Sequence, residues 1–463
     1  MSTEVLHVVQ RLSSGGAGQA LRALIAGTSS ARHRVVSLVA AEPSAAQRLT
    51  ASEVALVESA SEPELDALVA SSDVVQVHFW NTPELYDFMA TPRHARVVVW
   101  SHVAGHTPPH IVTPDVASYA DVLVATGDPF PAAIARRTSV IRPSSPHRIP
   151  PARPGDRGSR PFTVGLFGTL DEARCDPDAV RMFAQAALPG SRLLVVGAGD
   201  LIPRWREQAH TLGLADRVEF TGFVADVATQ LHRMDVLLHL PRPDGSATAD
   251  LALQEAMTAG VVPVVGSGTP VTGLVRHEVD GLVVTDASDC IAALRALHDR
   301  AAWRSRLSAA AAARGSADFT PQTCGRQFDA MYADMCEHPR ELRGLPGYRS
   351  LTGAQRFLAS LGPAGEPFQI SARRGPGADA ADDLIARSGP AMVGAGAGGI
   401  LHYRGYDPHD PMLRYWAGLV FAAAGRTALA AGDFAFAASR GVAAANDRLT
   451  ASVGSVGASS GAR

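Results

Sequence analysis

The sequence predicts two α/β units, each built on a parallel sheet and facing the other across a cleft, with a small helical appendage at the C-terminus. Three observations predict it. Two long stretches alternate short, Val-rich apolar runs with helical segments, a Pro- and Arg-dense segment separates them, and beyond about Pro339 the strand pattern stops. Continuous apolar runs of this kind suit strands buried on both faces, as in a parallel sheet layered between helices. A chain of 463 residues is long enough for several such domains, each with its own core.

The first unit spans residues 1–141, and its runs are Val5 to Gln10, Arg34 to Ala40, Asp73 to Phe79, Arg96 to His102 and Asp121 to Ala125. Ser13-Ser14-Gly15-Gly16-Ala17-Gly18 joins the first run to a helix expected to begin near Gln19. Glycines there let backbone N–H groups approach a ligand at a positive helix end; the plainer reading is a tight turn. The spacing is not G-x-G-x-x-G, and no acidic residue follows a second strand about 20 positions on, which counts against a nicotinamide site. Residues 142–160 (RPSSPHRIPPARPGDRGSR) can hold neither helix nor strand for long and read as an interdomain linker.

The second unit, residues 161–338, repeats the pattern: Phe162 to Phe167, Arg192 to Gly197, Val218 to Thr221, Val236 to Leu240, Val261 to Val265 and Gly281 to Val284. Gly197-Ala198-Gly199-Asp200, after the second of these runs, reads as a turn. Asp176-Pro177-Asp178 has the look of a D-x-D metal motif, but Asp-Pro at a helix start reads as an N-cap followed by the favoured N1 proline. Residues 339–450 form the appendage. Ala391 to Ile400 looks mobile or turn-rich, and Pro411 to Asn446 reads as one αα-hairpin. It has some likeness to a tetratricopeptide unit, which needs about three copies to stand alone, so it is expected to pack on the body of the molecule or on a protein partner. Residues 451–463 are expected to be disordered.

Composition narrows the function classes. Hydrophobic residues make up 46% and charged ones 19%, as in a folded soluble protein, and the net charge of -3 gives no reason to expect nucleic acid or an anionic membrane as partner. All 42 basic residues are Arg, so any phosphate-binding cation must be Arg. Cys175, Cys290, Cys324 and Cys336 lack C-x-x-C pairing and read as thiols in a reducing compartment. No apolar run approaches the roughly 20 residues of a membrane span, and no charged-then-apolar leader pattern opens the chain. A cytoplasmic protein is expected.

The most informative stretch runs from Met234 to Gly266. It reads as a buried strand, a loop rich in turn formers, a helix from about Leu251 to Ala259, and a second strand. In a parallel sheet that order places the loop at the carboxyl edge, where ligands bind and a helix N-terminus offers N–H groups to a phosphate. Within it, LQEAMTAGVVPVV resembles the E-A-M-x-A-G-x-P-V-V segment of the retaining glycosyltransferases of family 4, which have the GT-B fold of two Rossmann-like domains. The resemblance covers about Val5 to Tyr332.

That resemblance implies a nucleotide sugar as donor, an unidentified acceptor, and no cofactor or metal. Glu255 would hold the ribose, and the helix N-terminus at Leu251 the diphosphate. In GTLDEAR, Arg174 falls where the family has a diphosphate-gripping Lys, while Thr169 replaces an Arg; Arg242 is a candidate for the missing charge. Backbone at Phe223 and Val224 would read the nucleobase. The loop at Gly15 and Gly16 would lie beside the diphosphate and the acceptor. His102 matches a cleft-facing histidine near the transferring sugar, with His78 on the neighbouring run; each is equally a packed strand-end histidine. Family members carry a first glutamate that anchors sugar hydroxyls, and here Ala247 stands in its place. Asp250 and Asp244 are candidates to cover for it, although Asp250 also stands where an N-cap belongs and Asp244-Gly245 is a simple turn. Two alternatives remain: a catalytically silent protein of this fold serving as a binding or scaffold subunit, and a nucleotide-sugar epimerase.

Overall fold

The computed structural model describes residues 2–450 apart from 128–129, 131–133, 135–136, 152–159, 173–174, 242–249, 270 and 397. The expectation of a disordered tail therefore lies outside the described residues. The first sheet contains β1 (Thr3–Val9), β2 (Ala31–Ser37), β3 (Ala55–Glu58), β4 (Val74–Phe79), β5 (Val97–Ser101), β6 (Val122–Ala125) and β7 (Thr138–Val140). They lie in the order β7-β6-β5-β4-β1-β2-β3 and pair in parallel throughout. The second contains β8 (Thr163–Thr169), β9 (Arg192–Ala198), β10 (Val218–Gly222), β11 (Val236–His239), β12 (Val262–Gly266) and β13 (Leu282–Val284). Their order is β10-β9-β8-β11-β12-β13, again all parallel.

Every residue of β4, β5 and β11 is buried, the reason these strands read as unbroken apolar runs rather than alternating ones. Two strands, β3 and β7, escape the sequence reading. Both lie at sheet edges and are partly exposed, so neither builds a continuous apolar run. In each sheet the strand order reverses at one place: between β1 and β4 in the first, between β8 and β11 in the second. A crevice opens at the carboxyl ends of strands at such a reversal. The loops that the sequence singles out leave these strands.

The chain then returns. After the second sheet, the helix Pro321–Cys336 crosses back and packs on the first sheet. It meets the helix Gly16–Gly27 glycine against backbone: a Cβ on Gly27 would lie 1.8 Å from the Pro321 carbonyl oxygen, and one on Gly325 would lie 2.1 Å from the Gly27 carbonyl carbon. No side chain fits at either position. The Asp329 carboxylate on this helix accepts the backbone N–H groups of Ser29 (2.8 Å) and Ser30 (3.3 Å). Phe328 stands edge-on to Trp100 at 4.8 Å, and the Tyr332 hydroxyl donates to Gln76 Oε1 across the same face.

The C-terminal region is more regular than its composition predicts. Gly353–Leu361, Glu366–Arg373, Ala378–Ala386, Pro390–Val393, Ile400–Tyr406, Pro411–Ala423 and Thr427–Ser439 are helical. They enclose a core of their own around Phe357, Tyr403, Trp416 and Phe434. A short strand, Glu341–Arg343, pairs antiparallel with Arg93–Ala95 of the first unit, against the expectation that strands end before this region. The whole region docks on the first unit. His402 Nε2 bonds Glu84 Oε1 at 3.0 Å, Asn81 Nδ2 donates to the Ser360 carbonyl at 2.9 Å, and Tyr406 donates to Asp87. Among the described residues no helix is long and apolar enough to cross a membrane. Burial pushes the Cys290 and Cys324 thiols up to about 12.

The glycine contact yields a prediction. Gly325→Leu drives a side chain into the Gly27 backbone, and overpacking of this kind costs about 1–3 kcal/mol. A lowered denaturation midpoint is expected. Gly432→Ala, on a helix where an added Cβ meets nothing within 4 Å, is expected to leave the midpoint unchanged or raise it. Equal losses in the two variants would contradict the packing described.

Candidate functional site

At the second reversal, β8 and β9 end in a close glycine pair. Gly168 and Gly197 are register partners with φ of +119° and +133°, and a Cβ on Gly197 would lie 1.9 Å from the Gly168 carbonyl oxygen. A Cβ on Gly199 would lie 1.9 Å from the Leu170 carbonyl oxygen. The Gly197-Ala198-Gly199 turn is thus held by backbone contact. Arg174 lies outside the described residues, as do Arg242 and Asp244. The Asp176-Pro177-Asp178 expectation needs correcting. The helix begins at Ala179, with Asp178 at its N-cap position, so Pro177 is not its first residue. Instead Asp176 Oδ1 accepts the Asp178 N–H at 2.8 Å, and the Pro177 carbonyl accepts the Trp205 indole N–H at 3.1 Å.

The helix that follows β11 spans Leu251–Thr258 and is capped by Asp250. Asp250 Oδ1 accepts the N–H groups of Ala252 (2.9 Å) and Leu253 (3.3 Å), while Oδ2 lies 3.1 Å from Nε2 of His239, the last residue of β11. Burial works to raise its pKa. The neighbouring imidazole and the two backbone donors outweigh that, and the carboxyl sits below its ordinary range. Both oxygens are therefore engaged within the protein. One turn on, Glu255 is 5% exposed. Its Oε1 accepts from the Ser145 hydroxyl and, at 2.9 Å, from His147 Nδ1. Ser145 and His147 belong to the linker, so the linker is bonded to the second unit through this carboxylate.

Phe223, just past β10, is 85% exposed, whereas Val224 packs against the core beneath the Leu251–Thr258 helix. At the first reversal, the helix after β1 starts at Gly16, three residues earlier than expected, with Gly15 in extended conformation as its N-cap. The early start follows from Gly18: a Cβ there would lie 1.8 Å from the Ser13 carbonyl oxygen, so the first turn lies directly on the loop. Gly15 and Gly16 are exposed. Glu42 anchors the loop by accepting the Ser14 N–H at 2.7 Å.

His102 follows β5 and is 6% exposed. It stacks on His78, with planes 8° apart, and its Nε2 lies 3.0 Å from His78 Nδ1. The contact does not stop there. His78 Nε2 lies 3.1 Å from His7 Nδ1, His7 Nε2 lies 2.8 Å from His33 Nδ1, and His33 Nε2 lies 2.6 Å from Thr28 Oγ1. Burial pushes His102 down to about 3 and His33 down to about 4, the latter against an upward pull from Asp329. Burial first, then the adjacent imidazoles, hold His7 and His78 well below the ordinary histidine range.

With this geometry in place, the likeness to known proteins becomes interpretable. Residues 162–300, from the start of β8 into the helix after β13, match the family model described as Glycosyl transferases group 1. The chain is 33% identical over 123 residues to a GDP-mannose-dependent alpha-(1-6)-phosphatidylinositol monomannoside mannosyltransferase of Mycobacterium tuberculosis, covering 24% of this chain and 32% of that protein. It is 33% identical over 165 residues to an exopolysaccharide phosphotransferase of Streptomyces coelicolor, covering 34% of this chain and 17% of that one. The matches thus span a third or less of these curated relatives. Among solved structures, HepE of Anabaena in complex with UDP and glucose superposes with a TM-score of 0.57 at 18% identity, covering 72% of this chain and all (100%) of that one. A glycosyltransferase of Rickettsia africae gives 0.55 at 13% identity, covering 73% and 99%.

The fold is GT-B.

In the GT-B arrangement, the sequence-derived residues fall into two groups. Asp250, Leu251 and Glu255 lie together on one helix of the second domain. Gly15, Gly16, His78 and His102 lie at or near the carboxyl edge of the first sheet. Sequence reasoning missed Ser145, His147 and His239, which bond the two acids, and His7 and His33, which extend the histidine row. The alternation along β1 and β4 could have placed His7 and His78 on one face, but only the strand order shows them to be neighbours.

The histidine row makes stability depend on pH. Each of the four rings has a folded pKa below its unfolded value, so the fold keeps them neutral while an unfolded chain protonates them. Their contribution is complete above about pH 6.5 and is lost as pH falls toward the folded values, each at a slope of about 1.4 kcal/mol per pH unit. For His33 and His102 that window runs from 6.5 down to about 4 and about 3. Complete denaturation at pH 5.5 is expected to take up about four protons, measured by indicator in weakly buffered solution. An uptake near zero would contradict neutral rings in the folded state.

Proposed function

We propose that the chain is a retaining, cytoplasmic glycosyltransferase of family 4, moving a sugar from a nucleoside diphosphate sugar to an acceptor hydroxyl without metal or cofactor. The observation that carries this reading is Glu255. It is a buried carboxylate one turn into the helix at a strand-order reversal, inside the segment that matches the group 1 family model. A carboxylate accepts hydrogen bonds only, and a ribose presents two neighbouring hydroxyl donors to it. The named relatives support the donor class: one depends on GDP-mannose, and HepE binds UDP and glucose.

In this reading the remaining residues take defined roles. Phe223 and Val224 meet the base through their backbone. Asp250 already occupies the N–H groups of Ala252 and Leu253, so the diphosphate falls to the Leu251 N–H, Arg174 and Arg242. Asp250 is likewise committed to His239, which leaves the sugar hydroxyls to Asp244. Gly15, Gly16 and His102 face the transferring sugar and the acceptor. The departing diphosphate is stabilised by fixed dipoles and guanidinium groups aimed at the developing charge. Retention follows from attack on the leaving-group face, which requires no side-chain nucleophile. The Ala247 and Thr169 departures motivate the silent-scaffold reading, but among the described residues no structural feature favours it or the epimerase reading.

Thermal unfolding with UDP, GDP, ADP and TDP tests the proposal. A nucleotide at 100 times its dissociation constant adds about 2.7 kcal/mol to stability. One nucleotide is expected to raise the transition, and Glu255→Ala to abolish the rise while Asp216→Ala, on the exposed surface, preserves it. Absence of any shift, together with no release of nucleoside diphosphate from nucleotide sugars, would overturn the reading.

A further inference from the structure

His102, His78, His7 and His33 form one unbroken hydrogen-bonded row across the adjacent strands β5, β4, β1 and β2. It runs diagonally, from the carboxyl end of β5 to the third residue of β2, where it meets Thr28. Its surroundings are apolar: Val5, Val74, Val98, Trp100 and Phe328 belong to the core cluster on this face. Among the described residues, the polar and titratable groups facing it from neighbouring elements include Gln76 on β4, with Cys324, Asp329 and Tyr332 on the crossing helix. Of these, Asp329 acts electrostatically on His33.

A neutral imidazole carries one ring proton, and each nitrogen–nitrogen bridge holds one. Three bridges therefore impose a single polarity. If His102 carries its proton on Nε2, then His78, His7 and His33 must carry theirs on Nε2 as well; if His102 is protonated on Nδ1, all four are. The far end accommodates both states. Thr28 Oγ1 lies 3.1 Å from the Ile25 carbonyl as well as 2.6 Å from His33 Nε2, so its hydroxyl can donate to either.

We propose that this row is a proton conduit between His102 and the surface at Thr28, in which His7, His33 and His78 are positioning residues that set the tautomer of His102. A proton taken up at His102 Nδ1 displaces the Nε2 proton of that ring to His78 Nδ1. The Nε2 proton of His78 passes to His7 Nδ1, and that of His7 to His33 Nδ1. His33 releases its own Nε2 proton through Thr28 Oγ1 to solvent. One proton enters and one leaves, and all four rings begin and end neutral. This resolves a difficulty posed by burial. Alone, a ring held near 3 is a feeble base at neutral pH; within the row, accepting a proton leaves no charge in the core. Asp329 favours the positive charge that passes through the His33 end.

The conduit itself does not depend on glycosyl transfer; its use in deprotonating an acceptor rests on the function proposed above. The test is therefore free of activity. In the full chain with ring nitrogen-15 histidine, the four rings are expected to share one tautomeric sense. Thr28→Val, nearly isosteric and remote from His102 along the row, is expected to shift the tautomer populations of His102 and His33 together. In a His7→Phe background, the same substitution is expected to reach His33 but no longer His102. Mixed tautomers in the parent chain, or a Thr28→Val effect confined to His33, would overturn the proposal. Should His7→Phe fail to fold, the Thr28→Val comparison alone decides.

Discussion

The return of the helix Pro321–Cys336 onto the first sheet is the constraint on which the rest of the structure depends. It is possible only because Gly325 and Gly27 lack side chains where the two backbones meet. The close approach brings Phe328 and Tyr332 down onto Trp100 and Gln76 and sets Asp329 over the start of β2. It also seals the sheet face that carries the histidines. Without that cover the imidazoles would meet water, and their ordinary pKa values would return. One helix from the far end of the second domain thus ties the domains together and fixes the electrostatic state of the first.

A second link runs through Glu255. A buried carboxylate is costly unless it is hydrogen-bonded, and here the donors come from the linker, Ser145 and His147. The residue read as the ribose anchor is therefore also the residue that seats the linker. Asp250 shows the opposite economy: its charge is satisfied by its own helix and by His239. Of the two acids on this helix, Glu255 leans on a segment outside its domain, and Asp250 is complete within it. On the proposed function, ligand recognition at Glu255 and the seating of the linker would be physically coupled.

Much of the fold is legible in the sequence because parallel strands buried on both faces leave unbroken apolar runs. The edge strands β3 and β7 are not, since half-exposed strands lose that signature. Composition misled at the C-terminal region: Gly- and Ala-rich segments read as irregular, yet a few aromatics, Phe357, Tyr403, Trp416 and Phe434, suffice to close a helical core. At the site, Glu255 and the Asp250 cap could be read from one contiguous motif. Ser145 and His147 could not, because a linker has no periodicity to say where its side chains point. The histidine row was half visible in His78 and His102. Its other half needs the order β5-β4-β1-β2, which local patterns do not encode.

The second domain is proposed to bind a nucleotide with its ribose on Glu255. The most direct measurement is a crystal structure of the full chain soaked with whichever of UDP or GDP stabilises it. The account predicts ribose hydroxyls on the Glu255 carboxylate, the diphosphate at the Leu251 end of the helix, and Ser145 or His147 displaced from Oε1. A bound nucleotide elsewhere, with Glu255 still bonded to both linker residues, would contradict it.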